Sequence, residues 1–191
     1  MRNLLIVCLL CFPTRTYSQN TVTVHQDDFV AANGVSAKKE KNISLKYKAT
    51  GIREVKWSAL ESLLNSNTDT TYIVNFWATW CGPCVEELPY FEQLNRNFAS
   101  QKVRIVLVSM DFVKDKDKRV VPFVERMKLK NTVWLLNEPD ANSWIDRIDP
   151  SWSGGLPATL ILNATQKKRA FYEKALTYDA LAHALGYFVG Y

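Results

Sequence analysis

From Gly51 onward the apolar positions alternate between short β-rich blocks and stripes at helical spacing. Val55–Trp57 reads as a strand, and Ser58–Asn65 (SALESLLN) as a short helix with Ser58 as its N-cap. Thr71–Trp77 (TYIVNFW) is a continuous β-rich run, the pattern of a strand buried on both faces of a parallel sheet. Val85, Leu88, Phe91, Leu94 and Phe98 recur at helical spacing, and Pro89 among them predicts a kink. Val103–Met110 (VRIVLVSM) is a second buried strand, Asp111–Lys118 a charged loop and Val120–Leu129 a helix. Val133–Leu136 then reads as a strand and Ala141–Ile148 as a short helix. Ala158–Leu162 and Arg169–Tyr172 are strands joined by the turn Asn163–Lys168, and Thr177–Tyr187 is a closing helix capped by Thr177. Strands alternating with helices predict an α/β sheet, to which the closing strand–turn–strand–helix adds an antiparallel part.

The first fifty residues have a different texture. Arg2 precedes the apolar run Leu4–Phe12 (LLIVCLLCF), Pro13 breaks it, and Thr16 and Ser18 stand three and one residues before a cut ahead of Gln19. The run is shorter than the roughly 20 apolar residues of a membrane-spanning helix. It predicts a signal peptide over 1–18 and export of the remainder. Lipid attachment at Cys8 or Cys11 is disfavoured, because Val7 and Leu10 stand where a small residue belongs. Residues 19–50 read as a polar, lysine-rich extension with a short strand around Ser44–Lys48, and 51–191 as a single domain.

Composition narrows the class. Hydrophobic residues at 47% and charged residues at 23% are ordinary globular proportions, which exclude wholesale disorder and a multi-span membrane protein. The formal charge of +5 falls by two if Arg2 and Arg15 leave with the signal, and the remaining charge is dispersed, so nothing points to nucleic acid. The same cut removes Cys8 and Cys11 and leaves Cys81 and Cys84. Two cysteines three positions apart close too small a loop to staple a fold, so this pair points to chemistry.

The segment Trp80-Cys81-Gly82-Pro83-Cys84 lies between the Thr71–Trp77 strand and the helical stripe. A helix N-terminus there aims unpaired N–H groups and a partial positive charge at Cys81, which favours its thiolate. Cys81 can then attack a substrate disulfide, and Cys84 can resolve the mixed disulfide. A structural zinc site needs four ligands, and His25 and His183 have no metal-ligand spacing to the pair, so no metal is expected.

The run Val74–Cys84 (VNFWATWCGPC) resembles the active-site segment of thioredoxin-fold proteins, and in particular the exported TlpA/ResA-like thiol–disulfide oxidoreductases. Cys84-Val85-Glu86-Glu87-Leu88-Pro89 is similar to that branch's glutamate three residues after the second cysteine. Trp152–Thr159 (WSGGLPAT) resembles the segment that carries the family's cis-proline. The resemblance covers roughly Gly51 to Gly186 and implies a thioredoxin-like fold, a central mixed β-sheet flanked by helices. It implies that Cys81 is the nucleophile, Cys84 the resolving cysteine and Pro157 a cis residue beside the disulfide. It further implies that Trp80, Gly82, Pro83 and the Leu156 backbone receive substrate. Glu87, on the same helix face as Cys84, is placed to exchange a proton with the resolving thiol, although an acid near a helix start also serves the dipole, as Glu86 would. Cytoplasmic thioredoxins usually carry a buried aspartate where this chain has Asn75, so that proton route is absent and Asn75 is expected to be structural.

The expectation is an exported, bacterial periplasmic oxidoreductase that reduces protein disulfides and needs no bound cofactor or metal. The resemblance implies oxidised protein substrates, cytochrome c maturation factors among them, and re-reduction by a membrane thiol donor. Rival readings are a disulfide oxidase or isomerase, a thiol peroxidase, and a binding module without turnover. Other features are set aside. Trp77 reads as core, and Trp134, Trp144 and Trp152 as packing. Asp111, Asp115 and Asp117, interleaved with Lys114, Lys116 and Lys118, read as a solvated loop without a calcium-loop glycine. Asn42-Ile43-Ser44 and Asn163-Ala164-Thr165 match the glycosylation acceptor pattern.

Overall fold

The computed structural model describes residues 51–190. The expected signal peptide, the extension over 19–50 and its strand near Ser44–Lys48 lie outside the described residues. Six strands form one sheet in the order β1-β4-β3-β2-β5-β6. They are β1 (Ile52–Val55), β2 (Thr71–Trp77), β3 (Val103–Ser109), β4 (Thr132–Leu136), β5 (Ala158–Asn163) and β6 (Lys168–Tyr172). The first four run parallel, β5 pairs antiparallel with β2, and β6 pairs antiparallel with β5 at the edge. The helices are α1 (Trp57–Leu64), α2 (Gly82–Asn97), α3 (Val121–Met127), α4 (Ile145–Ile148) and α5 (Tyr178–Val189).

The two-residue period of the central strands divides the core between the sheet's faces. Ile73 and Trp77 of β2, Leu107 of β3 and Ile161 of β5 face one side, where Leu88, Phe91 and Leu94 of α2 and Leu181, Leu185 and Phe188 of α5 cover them. Val74, Phe76, Val106, Val108 and Leu160 face the other side and pack on Leu60 of α1, Ile148 of α4, Trp144 and Trp152. Trp144 stacks on both Trp57 and Phe76, with ring centroids 6.2 and 6.1 Å away. Asn75 and Thr159 fall on the α2 side by the same parity and stand opposite each other in the β2–β5 ladder. That register puts two polar side chains under the start of α2.

Thr71–Trp77 and the Thr177 cap, whose hydroxyl accepts from Ala180 N, occur as expected. Other expectations need correction. The first helix begins at Trp57 with Lys56 as its N-cap and no side-chain cap bond, so Ser58 lies inside the first turn. Packing explains the shift: the Trp57 ring stacks on Trp144 and carries the Arg147 guanidinium at 4.6 Å, and this tertiary contact outweighs the serine's capping preference. The charged loop over Asp111–Lys118 is instead a 3-10 turn at Val113–Asp115 followed by a π turn at Lys116–Val120, which leads into α3. The α2 helix runs unbroken through Pro89, which sits on its exposed side; the missing N–H forgoes one bond to Val85 O. Asn163 is buried, donates to Thr71 Oγ1 at 3.2 Å and accepts from Gln166 N at 3.0 Å, so its side chain is not offered to a glycosylation enzyme.

Candidate active site

The C-terminal end of β2 delivers Cys81 as the N-cap of α2. Its sulfur accepts the N–H of Cys84, in the first turn of the helix, at 3.3 Å. Cys81 and Cys84 are joined by a disulfide with Cα atoms 5.3 Å apart. Cys84 is fully buried and Cys81 is 7% exposed, so Cys81 is the sulfur on the solvent side. Pro83 and Gly82 form the exposed first turn between them, and a Cβ on Gly82 would meet nothing within 4 Å. Trp80, by contrast with the core residue Trp77, points its side chain outward at 63% exposure. The Leu156–Pro157 peptide bond is cis. Pro157 is buried at the head of β5, and Leu156 is half-buried against the same cluster that holds both cysteines.

Glu87 is placed one turn beyond Cys84 on α2 and is 1% exposed. Its Oε1 accepts from Asn75 Nδ2 at 2.7 Å and its Oε2 from Leu176 N at 2.9 Å. Burial pushes its carboxyl up from 4.5 to about 7, against the smaller downward pull of those two donors. A carboxyl titrating there holds and yields a proton near neutral pH. Asn75 also donates to Thr159 Oγ1 at 3.1 Å and to Ala158 O at 3.5 Å, while its own Oδ1 is buried and has no hydrogen-bond partner among the described residues. One amide thereby connects β2, the acid of α2 and the strand that follows Pro157. The sequence marked Asn75 as structural; its grip on Glu87 is long-range and had no local signal.

Two further carboxylates hold the loops around the disulfide. Asp111 is 4% exposed, so it is not part of a solvated loop. It accepts from Thr79 N at 3.0 Å, Thr79 Oγ1 at 2.5 Å and Ser109 Oγ at 2.8 Å. The signal for it was position: it ends a buried parallel strand, where α/β sheets place their sites. Glu173, just past β6, accepts from Ser153 N at 3.0 Å, Gly155 N at 2.8 Å and the Ser153 hydroxyl. A Cβ on Gly155 would stand 2.7 Å from Glu173 Oε1, so glycine is what this approach admits. Trp152 Nε1 donates to Gly155 O at 2.9 Å, which fixes the other side of the loop leading to Pro157. The structure thus gathers Cys81, Cys84 and Glu87 and adds Asn75, Asp111 and Glu173.

Over 39 residues the chain is 49% identical to the thiol-disulfide oxidoreductase ResA of Oceanobacillus iheyensis, an alignment covering 20% of each protein. Over 112 residues it is 28% identical to the protein of that name from Geobacillus thermodenitrificans, covering 59% of each. These alignments therefore span less than two thirds of the curated relatives. Among solved structures, the thioredoxin-related protein of Neisseria meningitidis serogroup B superposes with a TM-score of 0.57 at 21% identity, covering 67% of this chain and 91% of that one. That likeness establishes the fold as thioredoxin-like. The AhpC/TSA family model matches residues 38–169, from ahead of β1 to the start of β6, and the chain belongs to the AhpC/TSA family.

Proposed function

We propose that this protein is a thiol–disulfide oxidoreductase that reduces disulfides in exported proteins through the Cys81–Cys84 couple. The observation that carries the reading is the pairing of Cys81, N-cap of α2 and rimmed by solvent, with a fully buried Cys84 one helical turn from a carboxyl that titrates at about 7. In the reduced protein the Cys84 N–H and the helix dipole favour a thiolate on Cys81. That thiolate attacks one sulfur of the substrate disulfide, and the other sulfur leaves as a thiolate that takes up a proton. Glu87 accepts the Cys84 proton, directly or through a water, as Cys84 attacks Cys81. The second substrate sulfur leaves, and the protein disulfide forms. Trp80, Gly82, Pro83 and the Leu156 backbone beside Pro157 receive the substrate chain.

The reductase direction rests on the Gly82-Pro83 dipeptide. Export to a bacterial periplasm, re-reduction by a membrane thiol donor, and service to cytochrome c maturation or general redox homeostasis belong to the same proposal. Equilibration of the couple against a thiol–disulfide buffer tests it: a potential near −270 mV supports a reductase, and one near −120 mV replaces it with an oxidase. Peroxide consumption without any disulfide substrate would turn the reading toward a thiol peroxidase. A Cys81→Ser protein that kept full biological activity would turn it toward a binding module.

A further inference from the structure

Trp80, at 63% exposure, and Phe112, at 70%, are large apolar side chains left in solvent. Their proximity follows from the backbone. Thr79 and Asp111 are bonded to each other twice, at 3.0 and 2.5 Å, and Met110 N donates to Trp77 O at 2.7 Å. Trp80 is the residue after Thr79, and Phe112 the residue after Asp111. The segment beyond Phe112 is anchored again where Phe123 packs on Trp77, ring centroids 5.3 Å apart. Between the anchors, residues 112–119 arch outward through the 3-10 and π turns at the end of the sheet that carries Cys81. Two part-buried hydrogen bonds thus tie the exposed Phe112 to the loop that carries Trp80 and Cys81, which places it where a polypeptide held at Cys81 can contact it.

The arch is also charged. It carries Lys114, Lys116, Lys118 and Arg119 against Asp115 and Asp117. Arg119 faces Asp115 at 4.0 Å, whereas the three lysines form no ion pair among the described residues. Lys114 Nζ lies 5.3 Å from the centre of the Phe112 ring. Trp80 is the residue before Cys81, so a polypeptide whose cystine reaches Cys81, itself 7% exposed, passes close to Trp80 and Phe112.

We infer that Phe112 and the lysines of the arch bind the substrate polypeptide beside Trp80, selecting segments with a bulky apolar side chain and a carboxylate close to the cystine. The inference rests on the oxidoreductase reading and adds a substrate class to it. The reaction is the two-electron exchange above: the protein dithiol is oxidised to the Cys81–Cys84 disulfide and the substrate cystine is reduced to two thiols.

The test uses acid-quenched single turnovers of the reduced protein with four peptide disulfides whose residues beside the cysteine are Leu or Ser and Glu or Lys. Bis(2-hydroxyethyl) disulfide serves as a featureless reference. The expected result is a rate constant about tenfold higher for the Leu/Glu peptide than for the Ser/Lys peptide, each taken relative to the reference. Phe112→Ser, at a surface position, collapses the Leu-over-Ser ratio toward one. Lys114→Glu combined with Lys118→Glu inverts the Glu-over-Lys ratio, and added salt erases that ratio in the parent protein. Reduction of the reference with equal rates on all four peptides overturns the inference, as does a Phe112→Ser protein that keeps the apolar preference. Failure to reduce even the reference is a different result, and it removes the oxidoreductase reading together with this one.

Discussion

Replacing Glu87 by Gln should change how stability depends on pH, by an amount the site's geometry sets. The carboxyl titrates at about 7 in the folded protein against an ordinary 4.5. The folded state therefore keeps this proton over a pH range in which the unfolded chain has lost it. Stability is greatest below about pH 4.5, declines as pH rises, and has lost the full contribution once pH passes about 7. Moving the carboxyl from 4.5 to about 7 corresponds to about 3 kcal/mol. Glutamine removes the titration, and the site has the groups to accept it. Its Oε1 takes the Leu176 N–H, and its Nε2 donates to Asn75 once that amide turns its unpartnered Oδ1 toward it. Thr159 Oγ1, an acceptor now, then donates to the same oxygen.

The assay is urea unfolding of the oxidised parent and Glu87→Gln proteins from pH 4.5 to 8.5. The difference in unfolding free energy should move by about 3 kcal/mol in favour of Glu87→Gln between the ends of that range. Asp149 and Glu173, whose carboxyls are held below their ordinary values, act at lower pH and cancel in the comparison. Two parallel profiles would refute the reasoning, because they would mean that Glu87 ionises as it does in the unfolded chain. In disulfide exchange the same variant should be slower by about a hundredfold where proton transfer limits the rate.

Asn75→Ala removes one of the two donors that favour the Glu87 carboxylate, so the stability profile should shift to still higher pH, at a cost of about 1–3 kcal/mol for the hydrogen bonds lost. Gly155→Ala should push Glu173 off the Ser153–Gly155 loop, and the same change in a Glu173→Ala background should cost less; non-additivity in a urea double-mutant cycle is expected, and additivity would show that the two do not interact. Trp144→Ala opens the aromatic stack over Phe76 and should lower the unfolding free energy by about 3–5 kcal/mol, with exchange of a small disulfide as the check that the distant site survives.

The parts of this molecule legible in sequence were those encoded locally. The strand Thr71–Trp77 was readable because a strand buried on both faces needs no polar alternation. The cysteine pair was readable because its spacing across a helix's first turn is set by the local sequence alone. The three carboxylates show where this legibility ends. Glu87 was singled out through its spacing to Cys84, yet its titration depends on Asn75 and on Leu176 N, 89 positions away. Asp111 looked solvated because lysines alternate with acids just after it, although its own side chain turns back under Thr79. Glu173 gave no signal at all, since its partners lie on a loop 18 to 20 residues earlier. The π turn at Lys116–Val120 was equally silent, because no side-chain pattern distinguishes it from a loop.

The distribution of these bonds bears on how the site can cycle. A disulfide that closes so short a loop restrains the unfolded chain little, so reduction removes little stability. The contacts that shape the site avoid the sulfurs: Asn75 holds Glu87 and Thr159, Asp111 holds Thr79, and Glu173 holds Ser153 and Gly155. The hydrogen bond from Cys84 N to the Cys81 sulfur is the exception, and a thiolate there is a better acceptor than a disulfide sulfur. Reduction thus strengthens the contact that involves the sulfur and leaves the remaining framework in place. Glu87 and Glu173 divide the rest of the work by environment. Both accept multiple donors, but Glu87 is desolvated and its carboxyl rises to about 7, whereas Glu173 stands in solvent and is held below its ordinary value. A carboxylate that stays charged suits the fixing of a loop, and one poised near neutrality suits the proton transfer proposed for Glu87, so the two acids serve the proposed reaction through opposite environments.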